Sequence, residues 1–146
     1  MADSREAAVW TSHATQQLQM EAYSVQEGTF PSRLGEVLDL EPWESVLDFG
    51  CGTALWRLQF PKGKRYVGLD QNAAMVAGAR QRFPDDEFVL CPSIVDGARM
   101  PFEDGAFGIV FSAAVLQHCT DEDKAPILRE IRDEIRELRE ALELIA

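Results

Sequence analysis

The run VLDFGCGTAL, Val46 to Leu55, constrains the chain more than any other stretch of it. Its apolar residues surround Asp48 and lead into two glycines, Gly50 and Gly52. An apolar run that closes on such glycines reads as a buried strand entering a tight turn, where missing side chains let the backbone approach a ligand. A second apolar run, YVGLD, ends on Asp70, twenty residues after Gly50. Glycines at the first turn and a carboxylate ending the next strand are what an open α/β sheet uses to hold a nucleoside, the acid taking the ribose hydroxyls. The third glycine of the dinucleotide fingerprint is missing, and the pattern is Asp48-x-Gly50-x-Gly52-x-Ala54.

The surrounding sequence predicts alternating strands and helices. Ser45 to Phe49 reads as the first strand, followed by a short helix within Ala54 to Phe60, because the breaker run at Pro61 to Lys64 leaves no room for a longer one. Arg65 to Leu69, Glu87 to Cys91 and Phe107 to Ser112 read as further strands, and Asn72 to Arg82 as a helix capped by Asn72. Such alternation implies βαβ crossovers, hence an α/β fold with a Rossmann-like open parallel sheet of order 3-2-1-4 and helices on both faces. Upstream, Ser4 to Ala22 and Ser32 to Leu40 carry helix formers, so residues 1–44 are expected to form a helical cap on the core at 45–120.

Composition narrows the function. A chain of 146 residues fits one domain with a real core. Its 25 acidic and 14 basic residues give a net charge of -11, which repels phosphate backbones and anionic membranes, so neither nucleic acid nor membrane is an expected partner. Cys51, Cys91 and Cys119 have no CxxC spacing, so no metal site or disulfide framework is expected. The first residues carry acids and no apolar signal segment, and a reducing cytoplasm is the expected compartment.

The glycine motif and a second segment, MPFEDGAFGIVFSAAVLQH (Met100 to His118), together resemble the class I S-adenosylmethionine-dependent methyltransferases of the small-molecule type. In that family the first motif reads acid-x-Gly-x-Gly-x-Gly, and a later LPF-x-DxxFD-x-V segment leads through the fourth strand to a loop histidine. Ala54 stands for the last glycine of the first motif, and Gly108 for the aspartate of the second. The resemblance implies S-adenosylmethionine as cofactor, S-adenosylhomocysteine as product, and in-line methyl transfer to a small molecule. Asp70 would take the ribose hydroxyls, and Gln71 and Asn72 would lie along the adenosine. Backbone around Gly50, Cys51 and Gly52 would face the methionine end, with Cys51 adding a small apolar side chain and no nucleophile. Asp48 would organise the turn and the donor's ammonium group. Asp96, with Ser93 as its rival, would meet the adenine amine, and Ser112 ends the fourth strand beside the cofactor. His118 is the candidate proton acceptor; His13 has a weaker claim, and Trp10, Tyr23 and Arg33 belong to a segment that lids such pockets.

From Asp121 onward, Leu128, Ile131, Ile135, Leu138, Leu142 and Ile145 recur at heptad spacing, which predicts one long helix over 121–146 with that face buried. The resemblance would place strands 5 to 7 after Ile131, where the sequence instead has an idealised helix, as in a shortened or engineered chain. The expectation is therefore a cofactor-binding half whose terminal helix, or exposed strand edge, could pair two copies. Two rivals stand beside the enzyme: a cofactor-binding or scaffold domain without turnover, and an NAD-dependent dehydrogenase, which the missing GxGxxG disfavours.

Overall fold

The computed structural model describes residues 44–92, 99–112, 115–116 and 119–135. Four strands, β1 (Ser45–Phe49), β2 (Arg65–Asp70), β3 (Glu87–Leu90) and β4 (Ile109–Phe111), form one parallel sheet of order β3-β2-β1-β4, the order expected. Every residue of the inner strand β1 is buried, as a strand covered on both faces requires. The registers Val46↔Tyr66, Asp48↔Gly68 and Asp48↔Phe111 fix which side chains share a face.

Alternation along each strand divides the core in two. On one face Val46, Tyr66 and Phe88 pack with Val76 and Ala79 of α1 (Ala73–Arg82) and with Cys51, Ala54 and Phe60. Aromatic edges close this layer, Phe60 lying against both Tyr66 and Phe111, and Tyr66 against Phe88. On the other face Leu47, Phe49, Val67 and Leu69 meet Met100, Phe107 and Ile127. Asn72 caps α1, its Oδ1 accepting from the N–H groups of Ala74 (2.9 Å) and Met75 (3.2 Å), so the predicted cap is the observed one. The short helix after the glycines is a 3-10 turn, Leu55–Gln59.

The C-terminal helix differs from its expectation in length and in buried face. α2 runs Asp121–Glu134, opened by Thr120, whose side chain accepts from the Asp123 N–H. Ile135 leaves the helix at φ -87°, ψ 113°, and forms a parallel bridge with Phe107, just before β4. Gly105 N–H donates to the Asp133 carbonyl at 2.8 Å, so the loop entering β4 takes up an otherwise unpaired helix-end acceptor. An unbroken helix over 121–146 is therefore not formed. Nor is Leu128 on the buried face: it is 50% exposed, whereas Ile127 is 3% exposed and packs with the second core, joined four residues on by Ile131. The contact stripe is an i, i+4 pair against the sheet: it keeps Ile131 of the heptad seam and puts Ile127 in the place of Leu128. Leu138, Leu142 and Ile145 lie outside the described residues, as do the 1–43 part of the expected cap, the segment 93–98 and His118.

Candidate functional site at the carboxyl ends of β1 and β2

After Phe49 the chain turns without leaving β2. The N–H groups of Gly50 and Cys51 both donate to the Leu69 carbonyl, at 2.8 and 3.0 Å. Gly50 and Gly52 then take φ values of 73° and 55°, and Ala54 follows at 62° while fully buried. A left-handed alanine costs roughly 1 kcal/mol, so the Ala54 departure from the glycine motif keeps the motif's backbone and carries its strain. A Cβ on Gly50 would stand 2.2 Å from Val115 Cγ2, so this glycine makes room for the segment beyond β4. Gly68 makes room for the Phe88 ring and for the turn: a Cβ there would lie 2.6 Å from Phe88 Cδ1 and 2.9 Å from Cys51 Sγ. Cys51 is buried, and its thiol is pushed far up by burial and by the charges of Asp48 and Asp70. It stays protonated and is no nucleophile, in keeping with its reading as a small apolar residue.

Asp70 links the turn to α1. Its Oδ2 accepts from Gly52 N–H at 2.9 Å and its Oδ1 from Asn72 N–H at 2.8 Å. Burial raises its pKa, opposed by hydrogen bonds from the backbone of Asn72, Gly52 and Gln71. An ionised carboxylate offers about four lone-pair sites, so with these three backbone donors in place capacity remains for about one hydroxyl donor. Next to it, Gln71 Oε1 is buried without a hydrogen-bond partner among the described residues, an acceptor for which a bound donor would compensate. Asn72, the following residue, spends its side-chain oxygen on the α1 cap. Ser112 is exposed immediately beyond β4, on the strand beside β1. Among the expected cofactor-binding residues, Asp48, Gly50, Cys51, Gly52, Asp70 and Gln71 are thus gathered at the ends of two adjacent strands, with Ser112 one strand over. Asp96, its rival Ser93 and His118 lie outside the described residues.

Asp48 takes a position that its sequence reading did not foresee. It is buried beneath the turn, and its Oδ2 accepts from the Tyr66 hydroxyl. Burial pushes its pKa up to about 7, with the Tyr66 bond pulling down and the Asp70 charge adding to the rise. Tyr66 lies under the Arg57 guanidinium, 5.1 Å from its ring centroid. Arg57 is held in turn by Asp86 and by the Phe60 carbonyl. Period-two alternation could have found the first link, since Tyr66 opposite Val46 must share a face with Asp48 once β1 and β2 pair in parallel. No local signal marks Arg57 and Asp86, which are distant in sequence.

The site lies outside the carboxyl ends of the strands, where β1 has β2 on one side and β4 on the other, the place at which open α/β sheets bind ligands. A family profile described as "Methyltransferase domain" matches residues 46–137. A malonyl-[acyl-carrier protein] O-methyltransferase of Serratia marcescens is 38% identical over 81 residues, 55% of this chain and 30% of that protein. A demethylmenaquinone methyltransferase of Corynebacterium efficiens is 33% identical over 98 residues, 66% of this chain and 40% of that protein. The match therefore spans less than half the length of either relative. A TehB-like S-adenosylmethionine-dependent methyltransferase from Corynebacterium glutamicum superposes with a TM-score of 0.69 at 21% identity, over 85% of this chain and 67% of that one. A DhpI complex with S-adenosylhomocysteine gives 0.67 at 20% identity, over 88% and 61%. These structures share the fold, and the profile match across more than half the chain fixes the kinship: the protein belongs to the class I S-adenosylmethionine-dependent methyltransferases.

Proposed function

We propose that this chain binds S-adenosylmethionine at the ends of β1 and β2 and serves methyl transfer to a small molecule. The observation that carries the reading is Asp70, tied by Gly52 and Asn72 so that its carboxylate is fixed at the carboxyl end of β2 with acceptor capacity to spare. The orphaned Gln71 Oε1 beside it fits the nucleoside end of the same ligand. When bound, the cofactor supplies an electrophilic methyl group on a sulfonium. The residues' part is to hold that group in line with a nucleophile and to exclude water. Asp70 receives a ribose hydroxyl, Gly50 to Gly52 line the amino-acid end, and Asp48 contributes negative charge beneath it. Asp96 at the adenine, Ser112 beside the cofactor and His118 as proton acceptor complete the proposal. Relatives named for a malonyl carrier protein, trans-aconitate and demethylmenaquinone support an acceptor other than nucleic acid.

Calorimetric titration with S-adenosylhomocysteine and NAD tests the reading. The first should bind and the second should not. Asp70→Ala should weaken S-adenosylhomocysteine by about 1.5 to 3 kcal/mol, the range for hydrogen bonds to a charged group. Equal affinity in parent and variant refutes the ribose assignment, and preferential NAD binding refutes the family cofactor for this chain.

A further inference from the structure

The chemistry assigned above uses the charge of Asp48 but not the groups that govern it. The parallel register sets Gly68, without a side chain, directly opposite Asp48, and Tyr66 two residues earlier on the same face. The Tyr66 hydroxyl consequently reaches the buried carboxylate. Its ring is fixed between Phe60 and Phe88 and lies under Arg57, whose guanidinium is held by Asp86. We propose that Tyr66 is a positioning residue for the amino-acid end of the donor, its hydroxyl keeping Asp48 as an anion beneath the Gly50–Gly52 turn, where it attracts the ligand's ammonium group. The proposal rests on the S-adenosylmethionine reading of the site.

The surrounding groups leave Tyr66 as the donor in this bond. Burial and the neighbouring Asp48 charge drive the phenol's pKa far up, so it does not ionise in the working range. The Cys51 thiol, on the turn, is likewise held protonated, and Asp70 at the end of β2 repels a second anion. Among the described residues the cations near this face are Arg57, from the 3-10 turn, which lies over the tyrosine ring, and Arg80 of α1, which is held by the Phe88 carbonyl. Burial and Asp70 thus favour a neutral Asp48, while the Tyr66 bond opposes them, and the balance falls near neutrality, at about 7. Removing the hydroxyl should tip it towards the neutral acid. Affinity for a ligand bearing the ammonium group then follows the ionisation of Asp48, and affinity for the nucleoside end alone does not.

The test compares the parent, Tyr66→Phe and Asp48→Asn. Carbon-detected NMR follows the Asp48 carboxyl, and calorimetry follows S-adenosylhomocysteine and 5'-methylthioadenosine, which lacks the amino-acid end, over about pH 5.5 to 9.5. In Tyr66→Phe the Asp48 midpoint should rise by about one pH unit or more, the scale of a lost hydrogen bond to the charged form. S-adenosylhomocysteine affinity at neutral pH should fall about fivefold, because a midpoint moved one unit up from about 7 leaves roughly a tenth rather than half of Asp48 ionised, and its pH profile should move alkaline by the same interval. Methylthioadenosine should be unaffected. Asp48→Asn should flatten the profile, a readout that stands even if Tyr66→Phe does not fold. An unmoved midpoint in Tyr66→Phe overturns the proposal, as does parent affinity that does not follow the Asp48 titration. If the parent binds neither ligand, the cofactor reading falls and takes this proposal with it, and the ligand-free NMR titration identifies that outcome separately.

Discussion

Asp48→Asn should make the protein more stable at alkaline pH, because the parent buries a carboxylate that its surroundings do not fully compensate. Burial raises the folded-state pKa from 3.8 to about 7. Between those values the folded chain holds a proton that the unfolded chain releases, so this group's contribution to stability falls as pH rises. The penalty is absent below the unfolded value and complete above the folded one. At about 1.4 kcal/mol per pH unit it amounts to roughly 4 kcal/mol. Asparagine removes the charge and keeps an oxygen for the Tyr66 hydroxyl, but it buries an amide N–H group that needs an acceptor, at a cost of about 1 to 2 kcal/mol. The net expectation is a gain of about 2 to 3 kcal/mol at pH 8 and a loss of about 1 to 2 kcal/mol near pH 4. Urea unfolding of both proteins at several pH values measures the difference, in which other titrating groups largely cancel. A difference that does not change with pH would mean that Asp48 is already solvated or paired in the folded state, and the reasoning would be refuted.

Three further substitutions probe the turn and the C-terminal helix. Gly50→Val should destabilise the fold by about 2 to 5 kcal/mol, since a branched residue must adopt φ 73° and drive its Cβ into Val115, and circular dichroism during denaturation would show this before any ligand is added. Ile127→Asp should unfold the domain, whereas Leu128→Asp should change stability by about 0.5 kcal/mol or less, and the reverse order would restore the heptad face as the buried one.

The strand order and the glycine turn were legible because both are written locally: apolar runs of strand length, breakers between them, and a cap at Asn72. The C-terminal helix was misread where a tertiary contact outweighed a regular pattern. Leu128, Ile131 and Ile135 keep heptad spacing, yet the surface available to α2 is one side of a sheet, and the i, i+4 pair Ile127 and Ile131 reaches it first. Ile135 then leaves the helix and bridges Phe107, just before β4. Helical propensity of a few tenths of a kcal/mol per residue is small enough for one bridge at a β-branched residue to set where the helix ends.

The site was legible to the same depth. Asp70 was readable because its role depends on its place at a strand end, which the spacing from Gly50 fixes. Asp48 was read as a partner of the turn because it precedes the glycines, but the strand pleat, and not sequence adjacency, decides what a side chain in β1 meets. Residues 46, 48, 66 and 68 share one face, and with glycine at 68 the nearest polar group for the acid is the Tyr66 hydroxyl. An acid so placed lowers stability at the pH where it is ionised, and a fold selected for stability alone would carry an apolar residue or an amide there. The local cost is intelligible if the charge serves the turn above it, which is why the stability of Asp48→Asn and the pH profile of ligand binding should move in opposite senses: the variant that gains stability at alkaline pH should lose affinity for the ammonium-bearing ligand over the same range.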